Sequence, residues 1–144
     1  MSASDKYKAA MEIASKALQD AHSVAREAFT EGTREIFQRF PKLQAFRWRQ
    51  YTPYFNDGDA CEFYVYASEP DMKAIGDEDF TDGYEIGDGK YSNEPPHPMY
   101  DAAQAVSKYL GSFGNDMLER IFGDHVEVTC DREKGTSTDV YDHD

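Results

Sequence analysis

The chain has 144 residues, 40% of them hydrophobic and 14% aromatic, which suits one folded domain and is too apolar for a disordered chain. A domain of this length buries about 68–70% of the surface its unfolded chain exposes, so it needs neither disulfide nor metal to fold. The formal net charge of -13 is lopsided: residues 1–50 carry a net +3 and residues 51–144 a net -16. An acidic surface repels phosphate backbones and attracts basic partners, so direct nucleic-acid binding is disfavoured.

The first element in chain order is a long helix over residues 4 to about 40, with Ser4 as its N-cap and Asp5 in its first turn. Tyr7, Met11, Ala14, Leu18, Ala21, Ala25, Ala28 and Gly32 repeat at spacings of four and three, one stripe of a helix. The stripe is expected to pack on the core; a coiled-coil seam is the sharper alternative. Gly32 is a candidate kink, and Pro41 ends the element. The opening words MSASDKYKAAMEIASKAL hold no long apolar run, so no secretory signal is expected, and no stretch approaches the ~18 apolar residues of a membrane span.

An antiparallel hairpin comes next. Phe46 and Trp48 alternate with Arg47 and Arg49; after the turn at Asn56-Asp57-Gly58-Asp59, Cys61, Phe63, Val65 and Ala67 alternate with Glu62, Tyr64 and Tyr66. The alternation points Tyr64 and Tyr66 outward and sets Arg47 and Arg49 across from Glu62 and the tyrosines.

Residues 68–97 read as an acidic insertion, in which Tyr84, Ile86 and Tyr91 suit a short strand pair around Gly87-Asp88-Gly89. A second helix begins near Pro98 and runs to Gly123, weakened at Gly111 and Gly114 so that it divides in two. Val126, Val128 and Cys130 form a strand that turns at Lys134-Gly135 and returns over Thr136 to Tyr141. The whole predicts one α+β domain over residues 1–144. Its antiparallel sheet has about four strands in two hairpins, covered on one face by the long N-terminal helix and a second helix.

Cys61 and Cys130 form no CxxC pair, and buried free thiols in a reducing compartment are the plain reading, with one disulfide as the alternative. Phosphate-binding, dinucleotide-binding, zinc-protease and serine-hydrolase motifs are missing, so no catalytic residue, no cofactor and no metal ligand is assigned. His22, His97, His125 and His143 are scattered. The acidic loop fails as a calcium-binding EF-hand: counting from Asp77, position 5 is Thr81, position 6 is Asp82 rather than Gly, and position 12 is Asp88 rather than Glu.

What the loop does offer is carboxylates beside tyrosines. Asp77, Glu78, Asp79, Asp82, Glu85 and Asp88, with Tyr84, Tyr64 and Tyr66, form a candidate surface for a basic protein or a nucleic-acid-binding protein, with tyrosine supplying contact area. The words FRWRQYTPYFNDGDACEFYV and VEVTCDREKGTSTDVYDHD resemble small uncharacterised accessory proteins of tailed phages. That resemblance covers about a third of the chain and brings no catalytic residue. It implies an accessory that binds and inhibits a host or defence protein in the host cytoplasm. The expected function is thus a small acidic protein-binding module, of the inhibitor or nucleic-acid-mimic kind. Two alternatives stand beside it: a divalent-cation protein or hydrolase using the same carboxylates, and an assembly subunit oligomerising through the first helix.

Overall fold

The computed structural model describes residues 2–54, 58, 60–88 and 95–142. Its first element, α1 (Ala3–Arg39), is one unbroken helix of 37 residues, roughly 55 Å long. Its N-cap is Ser2 rather than Ser4: the Ser2 hydroxyl accepts from the Asp5 N–H, and the Asp5 side chain reaches back to Ser2. The helix runs through Gly32 without a break. A side chain at Gly32 would collide with the ring of Tyr109, so the glycine allows a close helix–helix approach.

Two hairpins make one antiparallel sheet, β1 (Leu43–Tyr51) with β2 (Tyr64–Ala74) and β3 (Val126–Asp131) with β4 (Gly135–Val140), joined along β1 and β3 in the order β2-β1-β3-β4. Between the hairpins lie α2 (Gly83–Asp88), α3 (Tyr100–Phe113) and α4 (Asn115–Phe122). The division of the second helix falls at Gly114, whose φ of 81° suits glycine, and Gly123 ends α4 with φ 93°.

The alternating side chains of the sheet put Phe46, Trp48, Val65, Ala67, Val128 and Cys130 on one face, where they meet Phe29, Ile36 and Phe37 of α1 and Val106, Leu110 and Leu118 of α3 and α4. The expected α+β architecture, with its long N-terminal helix, is present. Gln50 is wholly buried in this core. It accepts from Trp48 Nε1 at 3.0 Å and donates to the carbonyls of Leu118 and Gly123 at 2.9 and 2.8 Å. Arg132 ties the end of α1 to the sheet by donating to the carbonyls of Phe37, Phe40 and Leu43.

Several expectations fail for physical reasons. Most of the α1 stripe does not pack on the core: residues 2–21 are all exposed, the first buried side chain is Phe29, and the stripe meets the body only at its end, where Tyr109 lies on Gly32. The face that enters the core is Phe29, Thr33, Ile36 and Phe37, which continues from the body end of the stripe at Ala25 and Gly32. The acidic insertion starts later than residue 68, because β2 runs on to Ala74 and carries Pro70; as an edge strand it tolerates a residue with no N–H to donate. Tyr84 and Ile86 lie in the helix α2, not in a strand pair, while Tyr91 is outside the described residues. Cys61 precedes the strand and is half-buried; only Cys130 is buried in one, and both thiols are free. Among the described residues, no helix is long and apolar enough to cross a membrane.

Candidate functional site

The face of the sheet opposite the helices carries Arg47, Arg49, Tyr51, Tyr64, Tyr66 and Glu127, with Tyr141 just past β4. Four tyrosines form a chain of ring contacts there. Tyr51 stacks on Tyr66 at 4.5 Å, Tyr64 meets Tyr66 edge-on at 5.0 Å, and Tyr141 lies 5.4 Å from Tyr51. Burial, and then its hydroxyl contact with Tyr51, push the Tyr66 phenol up to about 12. It stays neutral at any physiological pH.

Below the tyrosines, charges of both signs alternate. Arg47 Nε donates to Asp71 Oδ2 at 2.8 Å, and Arg49 Nε sits 2.9 Å from Glu127 Oε2 in an ion pair off the line of the N–H bond. The guanidinium partners are therefore Asp71 and Glu127, not Glu62, because β1 pairs with both β2 and β3 and the two hairpins each supply a carboxylate. Arg47 also lies over the ring of Phe80 at 4.2 Å, and Arg49 near Tyr141 at 5.3 Å.

Phe80 is how the acidic segment is held. Met72 and Thr81 exchange backbone hydrogen bonds at 3.1 and 2.8 Å, Gly83 N–H donates to Asp71 Oδ1 at 3.1 Å, and Ile86 is buried. Gly83 presses on β2 so closely that a Cβ would collide with the carbonyl of Glu69. These contacts fold the segment back along the sheet and make a groove of about 300 Å³ whose lining includes Arg49, Tyr66, Glu69, Asp82, Tyr84 and Tyr141.

Of the residues singled out from sequence, Tyr66, Asp82 and Tyr84 thus meet in one groove, and Tyr64 adjoins it through Tyr66. Tyr84 is 67% exposed, and Tyr64 and Tyr66 are exposed too, as the alternation required. Two carboxylates serve local structure: Asp82 Oδ1 accepts from the Tyr84 N–H at 2.7 Å, and Asp77 Oδ2 accepts from the Ala74 N–H at 3.2 Å. Glu78, Asp79 and Glu85 are exposed. Asp88 closes α2, and its side chain lies outside the described residues, as do Asn56, Asp57 and Asp59 of the first turn, Gly89, His143 and Asp144. Sequence reasoning missed Tyr51, Asp71, Glu127 and Tyr141. Tyr51 continues the odd-numbered alternation of Arg47 and Arg49 and was within reach of that signal; Asp71 was hidden because residues 68–74 read as loop.

Among the described residues, no three His, Cys, Asp or Glu side chains gather closely enough to hold a metal ion. His125 stacks on Tyr54 at 5.1 Å beside Asp124, and His97 Nδ1 accepts from the Met99 N–H at 3.0 Å near the start of α3. Comparison with known proteins finds no matching protein family, no curated protein with a similar sequence and no solved structure with a similar fold.

Proposed function

We propose that the chain is a non-enzymatic protein-binding module whose contact surface is the helix-free face of the sheet together with the acidic segment that crosses it. One observation carries this reading: Tyr51, Tyr64, Tyr66, Tyr84 and Tyr141 gather around the groove on that face, with Glu69 and Asp82 in its wall. Tyrosine gives large contact area with few torsions to freeze, which is why binding surfaces favour it. The net charge of -13 selects the partner: a basic protein, including one whose basic site otherwise grips nucleic acid, and not nucleic acid itself. With the phage-like words of the sequence, this supports an inhibitor acting in the host cytoplasm.

The test is capture from a host lysate at low and high salt, with the wild-type chain and two variants as bait, Tyr84→Ala and the double variant Asp82→Lys with Glu85→Lys. A basic partner should be captured by the wild type, weakened by salt, and lost roughly 30-fold or more with Tyr84→Ala if that ring is an anchor. A partner held equally by all three baits overturns the reading. A second reading, an assembly subunit that oligomerises through α1, is favoured by a separate observation: every residue from 2 to 21, the first five turns of that helix, is exposed.

A further inference from the structure

The bare part of α1 carries an apolar face. Tyr7, Met11, Leu18 and Val24 are each at least half exposed, and Ala10, Ala14, Ala17, Ala21 and Ala28 fill the face between them. These positions recur at the three- and four-residue steps of one helical side. Where the same stripe enters the body, at Gly32, it is covered: α3 lays Tyr109 on it. The stripe is therefore a helix-packing surface whose body end has its helix and whose arm does not.

We infer that the missing helix is the arm of a second copy, running antiparallel. Size decides the direction. A parallel pair in register would set Tyr7 on Tyr7, Ala14 on Ala14 and Ala21 on Ala21, alternating overfilled and empty layers. An antiparallel pair with its two-fold axis level with Lys16 sets Tyr7 against Ala25, Met11 against Ala21 and Leu18 against Ala14 of the other copy. Every layer then joins one large side chain to one alanine. The flanking positions pair Ala10 with Val24 and Ala17 with its own equivalent, so the seam stays apolar on that side as well.

Charge points the same way. Up to residue 28 the chain holds Lys6, Lys8, Lys16 and Arg26 against Asp5, Glu12, Asp20 and Glu27, so the arm is neutral and residues 29–144 carry the whole -13. A parallel pair would place two such bodies side by side. The antiparallel pair holds them roughly 39 Å apart along the axis, several screening lengths in physiological salt. The Ser2–Asp5 capping box closes the free end of the arm, as befits a helix that must persist away from the body. Arms of roughly 20 residues a side lie at the small end of stable interfaces, so the pairing is concentration-dependent.

This inference does not depend on the groove reading above. Light scattering of the full chain at high concentration should give the mass of two chains, and Leu18→Glu should return it to one with the thermal transition of the body unmoved. A single-chain mass at every concentration overturns the proposal. Direction is read with a spin label at Lys6→Cys in a Cys61→Ser background. The antiparallel pair puts the two labels roughly 30 Å apart, whereas a parallel pair keeps them within about 20 Å. The shorter distance overturns the antiparallel assignment even if the mass is that of two chains.

Discussion

Gln50 Nε2 donates to the carbonyl of Gly123 at 2.8 Å, and this one contact ties the centre of the sheet to the end of α4. The same amide holds the Leu118 carbonyl, and its oxygen receives the Trp48 indole N–H. Replacing it with an apolar side chain strips three buried polar groups of their partner at once. Gln50→Leu should destabilise the domain by about 2–4 kcal/mol, read as a lower denaturant midpoint at unchanged slope.

Gly83 and Gly111 should respond to alanine in opposite directions. A methyl at Gly83 meets the β2 backbone and forces α2 off the sheet, so Gly83→Ala should cost about 1–3 kcal/mol. Gly111 lies exposed inside α3 with open space where a Cβ would go, and Gly111→Ala should gain about 0.5–1 kcal/mol. Thermal melts of the two variants settle the sign of each.

Acid should loosen the domain at two carboxylates. Burial pulls the Asp124 carboxyl upward, but N–H and O–H donors from Thr52 and His125 outweigh it and hold the group below the usual carboxylate value. Asp131 is likewise pulled upward by burial, yet held low by the backbone N–H groups of Lys134 and Glu133 and by Gln44. A depressed carboxylate contributes stability that is complete above about pH 4 and lost as pH falls through its folded value. Unfolding followed between neutral pH and strong acid should show this loss, and Asp124→Asn should flatten it.

The groove residues should be separable from stability. Tyr84 is mostly exposed and Glu85 is exposed, so Tyr84→Ala and Glu85→Lys should each shift unfolding by no more than about 0.5 kcal/mol. Calorimetric melts check this, and agreement would mean that any lost binding reports on contact rather than on folding.

The elements with strong periodicity were legible from residues alone. Val126, Val128 and Cys130 alternate cleanly, and Gly114 and Gly123 mark the breaks where positive φ is needed. The stripe of α1 was read correctly as a stripe and wrongly as core, because periodicity states that a face is apolar and not what covers it. Residues 68–74 read as insertion because Pro70 and two carboxylates, Glu69 and Asp71, outvote Met72 locally, whereas pairing with β1 is a long-range gain that no window contains. The groove was half legible: alternation predicts that Tyr64 and Tyr66 face outward, but Tyr141 joins them only through the β1–β3 pairing.

The depth of Cys130 has a practical consequence. Its burial pushes the thiol up to about 12, so near neutrality it holds almost no thiolate, the form that electrophiles attack. Cys61 is half-buried. The folded chain therefore offers maleimides a single native attachment point, while full reaction at both sulfurs requires the sheet to open. The uptake of a second label then counts unfolded molecules directly, with no probe engineered into the core.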